Sequence, residues 1–355
     1  MAASGGGAYI PAVPQTSPDS APRVLLVRFS SIGDILLTTP LIRALRARHP
    51  GARIDALTKE RFAPLLADNP HLDAVLAPAE GESLTALAAR LRPARYTHHL
   101  DLHGSLRSRQ LRVLLPGRWR GYDKHRLARG FLVLTRRNYY PAGTPPVPER
   151  YFEAAEGLDV RPDGGPPEFG LGAAAFAEAD AFLAQRETAP GRALIALAPG
   201  AAHMTKRWPL EHWKALAREL GAAGKRVVVV GGPEDVAAAE EVARASPAAV
   251  VAAGKFGLQG TGALLARASA LVSGDTGVMH MATGVGTPVV ALFGPTVEAF
   301  GFFPYRAHAT VVQRELPCRP CSRMGGPACP LGHHACLREI GPEAVAAALA
   351  TLEAK

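Results

Sequence analysis

Short apolar runs alternate with amphipathic stretches along most of this chain. Arg23–Val27 reads Arg-Val-Leu-Leu-Val, apolar on both faces, as a parallel strand covered on either side requires. From 35 to 49, Leu36, Leu37, Leu41 and Leu45 recur at helical spacing, with Pro40 near the start, where proline is best tolerated. Further strands are predicted at 52–57, Ala74–Leu76 and 97–102, with a helical stretch at 83–91. The segment 141–172 breaks this rhythm with seven prolines and six glycines, and a domain boundary is expected there, with some helix at 150–158. Beyond it the alternation resumes. Strands are predicted at 194–198, 226–230, 250–253, 270–273 and Val289–Phe293, and helices at 210–223, 236–245 and 342–352.

Strands alternating with helices predict an α/β protein with two doubly wound parallel sheets. The expected division is a disordered tail at 1–22, a first domain at 23–172, a second at 173–340 and a terminal helix at 341–355. A length of 355 residues suits two domains. No apolar run approaches the ~20 residues needed to span a bilayer. The first 22 residues lack the basic start and apolar centre of a signal peptide, so a cytoplasmic protein is expected.

Charge changes the picture. The net charge is +9, and residues 90–137 hold thirteen Lys or Arg against two acids, Asp101 and Asp123. Such a region suits an anionic partner: a nucleic acid, a phosphorylated glycolipid or an acidic membrane face; a solvated basic surface is the plainer alternative. No recognition-helix, zinc-finger or RNA-binding signature accompanies the charge, so a nucleic-acid partner is not expected.

Candidate chemistry lies in loops that follow predicted strands. Arg28-Phe29-Ser30-Ser31-Ile32-Gly33-Asp34 opens the first helix; Asp34 is either an N-cap or a carboxylate able to take a proton from a hydroxyl. Pro199-Gly200-Ala201-Ala202 and Thr205-Lys206-Arg207-Trp208-Pro209 combine a glycine turn with a lysine, a plausible phosphate cradle. Gly231-Gly232-Pro233-Glu234 places an acid where nucleotide folds hold ribose, or is an ordinary strand-to-helix turn. Ser273-Gly274-Asp275-Thr276-Gly277-Val278-Met279-His280 ends a strand and starts a helix whose N–H groups favour a diphosphate. Gly294-Pro295-Thr296 closes the same edge. Together these loops suit an anionic ligand bearing sugar hydroxyls. Asp101 to Ser108 opens the arginine-rich stretch, in which Arg107, Arg109, Arg120, Lys124 and Arg126 can grip phosphates or carboxylates. Cys318, Cys321, Cys329 and Cys336 cluster late in the chain, as a structural zinc site or as free thiols; no catalysis is assigned to them.

The stretch Val27 to Asp34, Lys206-Arg207-Trp208-Pro209 and Gly274-Asp275-Thr276-Gly277-x-x-His280, in this order, resemble glycosyltransferase family 9, whose best-known members are lipopolysaccharide heptosyltransferases. The resemblance runs from about Arg23 to the terminal helix. It implies a GT-B fold, two Rossmann-like domains facing across a cleft, the first binding acceptor and the second donor. It implies inverting transfer of heptose, without metal or other cofactor, from ADP-L-glycero-β-D-manno-heptose to the lipid A-Kdo inner core. It gives Asp34 as base and Lys206, Glu234, Asp275, Thr276, Gly277 and His280 as donor-binding, to which the loops add Gly200, Thr205 and Gly232. Ser31, Gly33, Asp101, His103, Arg107 and Arg120 fall on the acceptor side. A monomer in peripheral contact with the inner membrane face is the expected state. The alternatives are transfer from another nucleotide sugar, or a sugar-nucleotide epimerase or hydrolase.

Overall fold

The computed structural model describes residues 21–185 and 192–354, so the expected tail lies, but for its last two residues, outside the described residues. Eleven strands form two sheets among the described residues. The first holds β1 (Arg23–Val27), β2 (Arg53–Leu57), β3 (Ala74–Leu76), β4 (His98–Asp101) and β5 (Arg118–Gly121), in the order β3-β2-β1-β4-β5. The second holds β6 (Leu194–Ala198), β7 (Arg226–Val229), β8 (Ala249–Val251), β9 (Ala270–Gly274), β10 (Val289–Phe293) and β11 (Ala309–Gln313), in the order β11-β10-β9-β6-β7-β8. Every pairing is parallel. The central strands β6, β9 and β10 are buried along their whole length, which is why they read as unbroken apolar runs.

Strand order reverses beside β1 and β4 in the first sheet and beside β6 and β9 in the second. In open α/β sheets ligands settle at the carboxyl ends of the strands flanking such a reversal. Asp34 follows β1 and Asp101 ends β4; Gly200, Lys206 and Asp275 follow β6 and β9. The topology alone therefore places the candidate loops at both switch points.

Pro40 does more than the spacing predicted. The expected helix at 35–49 is two, Ile32–Leu36 and Thr39–Arg48, with Pro40 in the first turn of the second. A proline has no N–H to donate and is suited to a first turn, so it restarts the helix here. The predicted helix at 150–158 is a short helix, Val147–Arg150, followed by a 3-10 turn, Tyr151–Ala155. Strand β5 and the helices Leu106–Leu114 and Arg126–Thr135 lie in the arginine-rich stretch, where charge obscures periodicity.

The two sheets are not independent. One continuous apolar cluster runs from Val24 and Ile35 through Tyr151 and Phe169 to Ala196, Leu271 and Phe293. The helix Ile32–Leu36 crosses Gly277–Gly284 so closely that a Cβ on Gly33 would lie 2.3 Å from the His280 ring, and one on Gly277 would lie 2.8 Å from Ile32. A second tie is the run 314–336. Arg319 donates from Nε to the Gly294 carbonyl at 2.5 Å and from Nη2 to the Thr296 carbonyl at 2.9 Å. Arg136 of the first half donates to the Cys318 carbonyl at 3.1 Å.

Candidate active site

Asp34 sits in the first turn after β1, in a capping arrangement with Ser31. Its Oδ2 accepts from the Ser31 amide at 3.2 Å and the Ser31 hydroxyl at 2.9 Å. Its Oδ1 pairs with Arg28 at 2.5 Å. Burial opposes the charged form, yet Arg28 and then Ser31 outweigh it and hold the carboxyl below its ordinary range. The N-cap is Ser31, not Asp34; Asp34 is the third residue of the helix, its carboxylate reaching back to the cap and ionised at neutral pH. Arg28 is itself fixed, donating from Nε to the Ser30 carbonyl at 2.8 Å and from Nη1 to the Leu102 carbonyl.

Across the helix crossing lies the second group. Lys206 Nζ meets Asp275 Oδ2 at 2.6 Å, and Thr296 donates to the same oxygen at 2.7 Å. Asp275 therefore holds the ammonium in place, and Thr296 holds Asp275. Lys206 is set by its neighbours. Trp208 is buried, donates to the Ile340 carbonyl at 2.8 Å and packs edge-on against Trp213 at 4.9 Å. Arg207 donates to the Ala201 carbonyl at 2.9 Å. Thr276 stands at the N-cap position of the helix Gly277–Gly284, directly after Asp275, and the first N–H groups of that helix have no partner within it. His280 is buried against Gly33, and its Nδ1 has no partner. Burial lowers its pKa to about 4, so it is a neutral imidazole at neutral pH.

Some expected residues stand elsewhere. Thr205 does not face the cleft. It is buried and clasped to Gly326, donating to its carbonyl at 3.2 Å and accepting from its amide at 2.8 Å. Its role is to anchor the loop before Lys206. Glu234 is exposed. Its carboxylate lies over Gly232, where a Cβ would stand 2.5 Å from Oε2, and its neighbour Asp235 shares the glycine loop: a Cβ on Gly200 would stand 2.0 Å from Asp235 Oδ1, and Asp235 accepts from the Gly232 amide at 2.9 Å. Burial raises its pKa. Asp235 was open to notice, because it begins the helix after two glycines.

On the first sheet, Asp101 is engaged by its own loop, accepting from the His103 and Gly104 amides at 3.0 and 2.7 Å and from Ser108 at 2.9 Å. It shapes the turn rather than presenting an oxygen to a ligand. His103 packs edge-on to Phe29 at 5.6 Å, and Arg107 lies over the same ring at 5.4 Å with its Nε unpaired. Arg120 is exposed and paired with Glu156 at 2.5 Å, away from this group. Lys124 takes the place Arg120 was expected to fill. Its ammonium lies on the His103 carbonyl. Burial, then Arg28 and Arg126, lower its pKa to about 8.

Among the described residues no three His, Cys, Asp or Glu side chains come together as a metal site. Cys336 is buried, and burial pushes its thiol up to about 11. A cavity of 610 Å³ lined by Asp180, Leu194, Arg267 and Ser269 opens at the amino ends of the second sheet, the wrong end for the candidate chemistry.

The arrangement pairs an ionised carboxylate on one sheet with a lysine and a helix start on the other. A family profile described as glycosyltransferase family 9 (heptosyltransferase) matches residues 84–331. The chain belongs to glycosyltransferase family 9. This family 9 enzyme is a glycosyltransferase. It is 29% identical over 343 residues to lipopolysaccharide heptosyltransferase 2 of Salmonella typhimurium, covering 91% of this chain and 96% of that protein. Lipopolysaccharide heptosyltransferase 1 of Pseudomonas aeruginosa is 29% identical, covering 84% and 86%. The solved family 9 glycosyltransferase of Veillonella parvula superposes with a TM-score of 0.78 at 25% identity, covering 94% of this chain and 98% of its own. Escherichia coli ADP-heptose lps heptosyltransferase II does so with a TM-score of 0.72 at 27% identity, over the same shares. The fold is the GT-B fold of these neighbours. No helix among the described residues is long and apolar enough to cross a membrane.

Proposed function

We propose that this enzyme transfers heptose from ADP-heptose to the lipopolysaccharide inner core, with inversion. The observation that carries the reading is the pairing of Asp34 after β1 with Lys206, Asp275 and the helix Gly277–Gly284 across the crossing, each at a switch point of its sheet. The names of the relatives support the donor and acceptor. The acceptor hydroxyl oxygen bonds to the anomeric carbon while the bond from that carbon to the β-phosphate oxygen breaks. The hydroxyl proton passes to Asp34, and the electron pair leaves on ADP. Lys206 and the helix N–H groups receive the charge that develops on the diphosphate. Gly200, Gly232 and Asp235 form the remainder of the donor cradle.

Arg28 and Ser31 make Asp34 a weak base as it stands. Proton transfer therefore requires the acceptor to displace part of that partnership, which ties catalysis to acceptor binding. In the same way the diphosphate competes with Asp275 for Lys206, and the lysine is already aimed when donor arrives. On the acceptor side, Arg107 and Lys124 suit phosphates or carboxylates of an inner core. We assign the chain from 23 to 172 to acceptor binding and from 173 to 340 to donor binding. A monomer acting at the inner membrane face fits this reading.

The test is to incubate the purified enzyme with ADP-heptose and heptose-deficient lipopolysaccharides, chelator present, following ADP release and acceptor mass. One added heptose, lost in Asp34→Asn, is the expected result. ADP release without acceptor would establish hydrolysis instead, and turnover only with other nucleotide sugars would overturn the donor.

A further inference from the structure

The helix Arg126–Thr135 carries its apolar stripe outward. Leu127, Phe131 and Leu134 recur at i, i+4 and i+7 and are 78%, 51% and 76% exposed. Tyr139 extends the stripe beyond the helix end, its ring 5.8 Å from that of Phe131. The opposite face is firmly held. Leu132 is buried, Arg129 lies over Phe300 at 5.0 Å and Phe302 at 5.4 Å, and Gly130 abuts the Arg323 guanidinium. The stripe is therefore fixed in its outward pose by contacts behind it.

Cations frame it. Arg126, Arg136, Arg137 and Arg323 are exposed around the stripe. Arg126 donates to the Gly104 carbonyl at 3.0 Å, so the stripe begins beside the helix Leu106–Leu114. That helix also exposes Leu106 and Val113, seven positions apart, with Arg109 and Arg112 between them. Acids are sparse in the region: Asp101 is held by its own loop, and Asp123, which accepts from the His125 amide at 2.7 Å, is exposed.

We propose that this surface docks the enzyme on an anionic lipid bilayer. Leu127, Phe131 and Leu134 enter the boundary between headgroups and acyl chains, and the arginines pair with lipid phosphates. A bilayer offers an apolar phase bordered by dense negative charge, which matches an apolar stripe bordered by arginines in a stretch where cations far outnumber acids. A stripe of three residues holds a surface weakly by itself, and the cations supply the second attachment. With the first sheet as the acceptor side, the placement also serves the chemistry. The helix follows Lys124, which touches His103, which packs on Phe29 beside Arg28 and Asp34. A lipid-anchored acceptor could keep its acyl chains in the bilayer while its sugar reaches Asp34.

The test uses the full chain and vesicles of phosphatidylcholine with or without phosphatidylglycerol, read by co-sedimentation without any donor, so that its outcome is independent of the transfer reaction. The wild type is expected to bind the anionic vesicles and to release them as salt rises. Leu127→Ser/Phe131→Ser/Leu134→Ser should weaken binding by at least about ten-fold, and Arg112→Ser/Arg137→Ser should weaken it in the same direction. Turnover on a deacylated, water-soluble acceptor should be unchanged in the triple variant. Leu127→Ser alone, at the most exposed of the three positions, reads the same direction should the triple variant lose stability. Wild-type vesicle affinity in both the triple and the single variant would overturn the proposal. So would a concentration-dependent dimer of the wild type that the triple variant dissolves, since the stripe would then belong to a second copy.

Discussion

Substituting Gly33 by alanine tests the crossing of the two helices most directly. The added Cβ would stand 2.3 Å from Cδ2 and 2.9 Å from Nε2 of His280. Ordinary carbon contacts are at ~3.5 Å or more, so the ring or the backbone must retreat by more than ~1 Å. The ring has little room, because His280 is only 4% exposed. Overpacking of this kind costs ~1–3 kcal/mol. At ~2–4 °C per kcal/mol for a domain of this size, Gly33→Ala should lower Tm by roughly 2–12 °C. If strain is relieved by moving the helices apart, Asp34 moves relative to the donor loops, and a displacement of ~1 Å costs ~10²-fold in turnover. The assay is kcat/KM for heptose transfer beside Tm, with Gly33→Ala/His280→Ala as the paired variant. Removing the ring should recover part of the lost Tm, a coupling of ~0.5–3 kcal/mol. A Gly33→Ala enzyme with unaltered Tm and kcat/KM would refute the tight crossing.

Other outcomes follow from the same geometry. Asp34→Asn should lower kcat by ~10²–10⁴-fold, the span of general-base catalysis, in single-turnover measurements with donor saturating. Asp235→Ala should raise the donor KM more than Glu234→Ala, because Asp235 is half-buried and accepts from the Gly232 amide whereas Glu234 is exposed; equal effects would contradict that ranking. Lys124, with its pKa lowered to about 8, loses its charge as pH rises through 8, so KM for a phosphorylated acceptor should climb between pH 7 and 9, and Lys124→Arg should flatten the rise. His280 and His103 have folded pKa values lowered from 6.5 to about 4, so the unfolded chain binds more protons in that interval. Stability should therefore fall as pH drops from 6.5 toward 4, with a shallower slope of Tm against pH in His280→Phe.

Much of this architecture could be read before any coordinates. β1, β7, β9 and β10 are apolar on both faces, and glycine loops follow them, so strand positions and the ends that carry ligands were both legible. The arginine-rich stretch was not. β5 reads Arg-Trp-Arg-Gly, and as an edge strand it needs only Trp119 inside, which leaves no period to detect. Asp34, Lys206, Asp275 and His280 were legible as loop chemistry, and the structure gathers them. The settings of Thr205 and Glu234 were not legible for one reason. Sequence gives a residue's place in a loop but not its side-chain direction. Thr205 turns to a partner 121 positions away, and Asp235 is half-buried where Glu234 beside it is exposed.

The run 314–336 has a mechanical consequence. It grips the loop after β10 through Arg319, the loop before Lys206 through Thr205, and the helix Arg126–Thr135 of the other half through Arg136 and Arg323. The halves are thus braced on the surface by a strap with its own stiffness, separate from the proline-rich connection. Lengthening or softening that strap would change how far the cleft gapes at rest without altering any group that meets a sugar. Related enzymes could be tuned for larger or smaller acceptors by editing this strap alone.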